Sequence, residues 1–275
     1  MKRTTIAIAA AAAASVALLA AAFYLWRKDA TAPAVAFTPA PAAAAPSAPP
    51  LAAPEAQVHY PIEATLAASA PSARFDLQAE MTDLFGLRTV QSLFRLEDFS
   101  RRLAATVDNL GRSSASASLW PMQPASGRFT VEERDGSVFI GTDNNLRYAP
   151  YVLLLETVNL PQAASLYARI YPSLQKSYEE LGYPKGYFND RLVEVIDLLL
   201  ATPETDAPLQ VRMPPINGPV RPARPWVLYE FADPSLEALS SGQKVLLRMG
   251  VINERRVKAR LAEFRRLVTT PRPRR

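Results

Sequence analysis

The chain has 275 residues, no cysteine, a single histidine, 25 prolines against ten glycines, and a formal net charge of +5. The missing cysteine excludes disulfides, thiolate nucleophiles, Cys-containing zinc sites and a lipidated N-terminal cysteine. With the one histidine, His59, lying in a Pro/Ala-rich stretch, Ser-His-Asp triads and histidine metal sites lose their usual ingredient, so neither a metal nor a cofactor is expected.

The positive charge is a terminal feature. Nine Lys/Arg stand against two Glu between Asn253 and Arg275, whereas residues 73–252 hold 18 basic and 21 acidic residues, which argues against nucleic acid as a partner.

Ile6 to Trp26 is an unbroken apolar run whose polar side chains are Ser15 and the interfacial Tyr24 and Trp26. As a helix it spans ~31 Å, the thickness of a bilayer core. Lys2 and Arg3 precede it, and Arg27 and Lys28 form a charged stop. Ala20 to Ala22 would suit a signal-peptidase cut, but the apolar run continues through Phe23 to Trp26, so a retained anchor over 1–28 is expected. Each flank carries two Lys/Arg; the amino terminus adds to the first and Asp29 offsets the second, a near balance that favours a cytoplasmic N-terminus and a domain across the membrane from it.

Residues 29–72 are Ala and Pro with almost no charge and hold nine prolines. That composition predicts a disordered tether tending to polyproline II, with a full reach on the order of 130 Å. Residues 73–268 read as one mainly α domain (α+β) with a small β-hairpin, and residues 269–275 as a basic disordered tail.

A helical block runs from Asp76 to Leu110, its apolar residues recurring at three- and four-residue steps, ended by Gly111. Phe129 and Val131, then Val138 and Ile140, flank an Arg134-Asp135-Gly136 turn and predict the hairpin. Asp143 or Asn144 caps the next helix, through Val158. Pro161 opens another that ends near Gly182, which Pro172 should kink or split. Asn189 reads as the N-cap of a third, stopped by Pro203. Residues 202–225 hold seven prolines and read as a surface loop. A short strand within Trp226–Phe231, a helix opened by Asp233-Pro234, another from Gln243 to Met249 and a last from Glu254 to Val268 complete the chain.

Several long strings agree in order with an uncharacterised proteobacterial family. They are Tyr167 to Pro172 (YARIYP), Tyr178 to Asp197 (YEELGYPKGYFNDRLVEVID), Val227 to Pro234 (VLYEFADP) and Ser241 to Gly250 (SGQKVLLRMG), with Val107 to Leu110 and Tyr148 to Val152 before them. Over roughly Asp76 to Val268 the chain resembles this domain of unknown function, carried on membrane-anchored proteins. The resemblance implies a periplasmic domain and supplies no catalytic residue.

Four constellations could carry chemistry or binding. Tyr178, Tyr183 and Tyr187 could stack on sugar rings or a partner's aromatics, yet Tyr167, Tyr171, Leu174, Tyr178 and Leu181 follow helical spacing that suits packing equally. Asp190, Glu194 and Asp197 share a helix face, beside Arg191; paired carboxylates can bind a hard cation or cleave a glycoside, and a solvated acidic face gives the same spacing. Lys244 and Arg248, one turn apart, could serve a pocket or sit as surface charge. On the last helix Val257, Leu261, Phe264 and Val268 form an apolar stripe, while Arg255, Arg256, Lys258, Arg260, Arg265 and Arg266 form a basic surface open to anionic lipid or an acidic partner. The expectation is a tethered inner-membrane protein with a non-enzymatic module that binds an envelope protein or glycan. The alternative is a carboxylate-dependent cell-wall glycan hydrolase.

Overall fold

The computed structural model describes residues 57–62, 75–215 and 224–270. The anchor run, the tether apart from 57–62, part of the Pro-rich loop and the last five residues of the tail lie outside the described residues. Among the described residues no helix is long and apolar enough to cross a membrane.

The block from Asp76 to Leu110 is three helices rather than one: α1 (Leu77–Phe85), α2 (Leu87–Leu93) and α3 (Phe99–Leu110). Asp76 caps α1 by accepting the Gln78 and Ala79 amides. Gly86 breaks the chain after α1 at φ 81, a conformation that glycine adopts without steric cost. After α2 the backbone is drawn off by a loop instead: Gln123 N–H donates to Leu93 O and Arg95 N–H to Pro121 O, each at 2.8 Å. The periodicity runs through both breaks because Met81, Val90 and Phe99 all reach the same core.

The hairpin forms as predicted, β1 (Val131–Arg134) pairing antiparallel with β2 (Ser137–Ile140), Val131 opposite Ile140. Asp135 and Gly136 turn it with φ 51 and 71, the two positive values that a two-residue turn requires. α4 (Asn144–Thr157) follows. α5 (Leu160–Glu180) is one 21-residue helix that Pro172 does not split. A proline deletes one helical bond, whereas Tyr167, Ile170, Tyr171, Leu174 and Tyr178, on both sides of it, bury a single face.

α6 (Phe188–Leu200) begins two residues earlier than predicted, with Tyr187 at the cap position. Asn189 is therefore not the N-cap. It lies inside the first turn, fully buried.

Within the Pro-rich excursion, β3 (Val211–Arg212) pairs antiparallel with β4 (Glu230–Phe231). Val211 and Phe231 bury themselves with Leu247 in a second, small apolar cluster beneath the hairpin, so this part of the excursion is not surface. α7 (Pro234–Glu237), α8 (Ser241–Arg248) and α9 (Val251–Thr269) close the domain. Ser240 and Gln243 form a reciprocal capping box at the start of α8.

The main core lies between α3, α5, α6 and α9, centred on Leu174, Phe188 and Ala104. α9 crosses α4, α5 and α6, and its Val257 and Val268 are buried with Leu261 and Phe264 packed against the core, as its apolar stripe predicts.

Candidate functional site

The first turn of α6 holds a stretch of extended chain. His59 N–H donates to Asp190 Oδ2 at 2.9 Å and Tyr60 N–H to Asp190 Oδ1 at 2.8 Å. Ile62 N–H donates to the Tyr187 hydroxyl at 2.7 Å, and the Asn189 amide donates to Tyr60 O at 2.8 Å. Tyr60 and Ile62 pack against the main core while His59 and Pro61 face out, the two-residue alternation of extended backbone. Beside this segment lies an open groove of ≈ 520 Å³, lined by Tyr178, Tyr187, Asp190, Arg191, Glu194 and Asp197. Six residues within the predicted tether are thus seated on the domain.

Beneath the segment, the seat is set by the buried Asn189. Its amide also donates to Val268 O at 3.0 Å, and its Oδ1 accepts the Tyr167 hydroxyl at 2.9 Å. Gln175 fixes the loop before α6, accepting Phe188 N–H and donating to Gly186 O, both at 2.8 Å. Burial holds the phenols of Tyr167 and Tyr171 well above the ordinary tyrosine range, so both stay neutral hydrogen-bonding groups.

The far end is an ion-pair cluster. Asp108, buried on α3, accepts Arg191 Nε at 3.2 Å, Arg112 at 2.6 Å and the Tyr183 hydroxyl at 3.1 Å. Tyr183 stacks on Tyr178 with ring centroids 4.5 Å apart, and Tyr178 meets Phe188 at 5.6 Å.

The three carboxylates on α6 already have partners. Asp190 holds two backbone amides, Glu194 pairs with Arg191 at 2.9 Å, and Asp197 meets Arg265 in a fork at 2.5 and 2.8 Å. Glu230 lies elsewhere, 3.8 Å from Arg212. Lys244 and Arg248 are also away from the groove. Lys244 pairs with Glu237 at 2.7 Å, and Arg248 donates to Tyr229 O at 2.9 Å while lying over the Phe231 ring. Among the described residues no three carboxylate or histidine side chains converge as metal ligands would.

The basic face of α9 departs from its prediction, because most of its charges are met within the domain. Arg255 pairs with Glu204 at 2.8 Å and Arg256 with Glu156 at 3.5 Å. Arg260 donates to Leu155 O and Val158 O, capping the end of α4. Lys258 is not on the surface: it is buried between Glu254 at 2.9 Å, Glu204 at 3.1 Å and Thr202 O at 2.5 Å. Only Arg266 has no side-chain partner among the described residues. Lys258→Gln is therefore expected to destabilise the domain by about 2–4 kcal/mol through the charge left unpaired on Glu254. Arg255→Gln, on an exposed and solvent-screened pair, should leave stability nearly unchanged. Chemical denaturation of the two variants distinguishes the cases.

Glu254 also borders a second cavity of ≈ 220 Å³ between the end of β2, the loop around Asp206 and the α8–α9 junction. Lys258 Nζ is within ion-pair distance of Glu254 Oε1, an oxygen that has no other partner among the described residues and that shares the ammonium with Thr202 O and Glu204. Burial pushes the Glu254 carboxyl above the ordinary glutamate range, against the pull of Lys258. The folded state thus keeps this proton to a higher pH than the unfolded chain does. Its contribution to stability is complete below the unfolded value and falls as pH rises through the folded one. Melting temperature followed between about pH 4 and 7 should carry this downward contribution, and Glu254→Gln should remove it.

Sequence reasoning missed Asn189 as a seat residue, Asp108, Gln175 and the docked segment. One signal was present: Gln57 to Ile62 contains no alanine inside an alanine-rich tether and holds both His59 and Tyr60.

A family model described as "Protein of unknown function (DUF3014)" matches residues 99–265, which takes in α3 to most of α9 and so the seat on α6. No curated protein and no solved structure matches.

Proposed function

We propose that this chain, which belongs to the DUF3014 family of proteins of unknown function, is a membrane-tethered envelope protein whose helical domain is a non-enzymatic binding module for another envelope protein. The observation that carries the reading is the first turn of α6, beside the groove, where four hydrogen bonds already hold extended polypeptide by its main chain. Such contacts recognise a protein segment through its backbone and leave the side chains to give specificity.

The hydrolase alternative needs two carboxylates flanking an open gap. Those on α6 are taken up by amides or arginines. A glycan partner is less favoured than a protein because Tyr178 and Tyr183 stack on each other rather than offering a free ring face. The membrane placement is supported by the apolar run from Ile6 to Trp26 and by the resemblance of the Tyr178–Asp197 string to a family carried on membrane-anchored proteins.

A photo-crosslinking residue at Glu194, in the groove, tests the reading in intact cells. Adducts with one defined envelope protein are expected there and not from Leu146 on α4, which faces solvent. External protease should digest the domain in spheroplasts. A domain protected from that protease, or identical adducts from both positions, would refute the proposal.

A further inference from the structure

We infer that the seat on the first turn of α6, beside the groove, is built for an extended peptide with an aromatic residue, a proline and an aliphatic residue in succession, and that residues 57–62 are its resident occupant, displaced by a partner segment of the same kind. The identity of the site as an intramolecular clasp stands by itself. Only its displacement by a partner rests on the binding-module reading.

The fit is specific in register. From residue 59 to residue 62 every main-chain donor is received: His59 and Tyr60 by Asp190, Ile62 by Tyr187. The one position with no receiving group is Pro61, which has no N–H to place. Proline there loses no hydrogen bond, and its fixed φ holds the backbone in the extended form that the seat receives. The side chains agree with this register, since Tyr60 and Ile62 are the ones packed on the core.

The receiving groups are also suited to an occupant that leaves. Asp190 lies in the first turn of α6, where a carboxylate is favourable whether or not it holds the segment. Asn189 keeps Val268 O and the Tyr167 hydroxyl as partners when Tyr60 O departs. An emptied seat therefore leaves few buried groups unsatisfied, so opening need not unfold the domain.

Occupancy follows from connectivity. Twelve residues, 63–74, join the segment to Phe75. A link of twelve residues keeps its ligand at an effective concentration on the order of millimolar. A partner peptide of equal intrinsic affinity must reach that range to compete, so a productive partner binds more tightly or adds contacts along the open volume beside Glu194 and Asp197.

The test uses the full-length protein in detergent and a labelled synthetic peptide of the sequence of residues 57–62. Amide exchange at His59, Tyr60 and Ile62 should be slow in the native chain and should quicken on adding excess peptide. The Tyr60→Ser/Ile62→Ser chain, whose own segment cannot dock, should bind the peptide about ten-fold or more tightly than the native chain does. Adding Asp190→Ala to that double variant should abolish binding while core amides on α5 stay protected. A peptide with alanine in place of its proline should bind more weakly. Equal affinity for native and double-variant chains, or exchange at residues 59, 60 and 62 as fast as in free peptide, would overturn the inference. A clasp that forms and yields to peptide, in cells where Glu194 captures no envelope protein, would refute the binding-module reading and leave the clasp in place.

Discussion

Asn189→Ala is expected to lower the melting temperature of the domain by about 5–15 °C. The side chain is fully buried and serves Tyr60 O, Val268 O and the Tyr167 hydroxyl at once. Removing it strands the Tyr167 hydroxyl and the Val268 carbonyl inside the protein, at about 1–3 kcal/mol each. For a domain of this size each kcal/mol corresponds to about 2–4 °C. Asn189→Asp should be no milder, because it keeps the acceptor for Tyr167 but loses both donations and buries a charge. Thermal melts followed by circular dichroism check this. A change of less than about 2 °C would mean that the amide does not tie these elements together.

The second large effect is expected at Asp108. Its carboxylate, 8 % exposed, balances Arg191 and Arg112 and accepts from Tyr183. Asp108→Ala should cost about 3 kcal/mol, the lower edge for breaking a buried pair, because Arg191 keeps Glu194 and some contact with water. The double variant Asp108→Leu/Arg191→Met should recover most of that loss, since a well-packed apolar pair can replace a buried ion pair. Urea denaturation of the three chains measures the coupling. If the double variant is as unstable as the sum of separate losses, the two residues act independently.

The parts of the fold that local chemistry determines were legible in the sequence. Asp135-Gly136 requires a tight hairpin turn, Asp233-Pro234 requires a capped helix start, and Val257, Leu261, Phe264 and Val268 require one buried stripe on α9. The errors arise where a residue's partner is remote. Asn189 has the composition of an N-cap, yet its side chain turns inward to Tyr60, Val268 and Tyr167. The charges of α9 read as a solvated face because their partners, Glu156, Glu204 and the carbonyls of Leu155 and Val158, belong to other elements. Spacing placed Asp190, Glu194 and Asp197 on one face correctly. It could not show that remote groups, the amides of His59 and Tyr60 and the Arg265 guanidinium, occupy Asp190 and Asp197, and so it left their role open between chemistry and solvation.

Asn189 reaches 129 residues back to Tyr60 and 79 residues forward to Val268. A ribosome delivers these three parts in order, the segment first and the end of α9 last. While the chain is being made, residues 57–62 emerge long before any group that receives them. Tyr187, Asn189 and Asp190 arrive with α6, and the Val268 carbonyl that shares the Asn189 amide arrives last. A nascent or truncated chain lacking α9 would seat the segment with that amide short of one partner, so the fully tied arrangement of residues 57–62 would mark a domain whose synthesis has reached Val268.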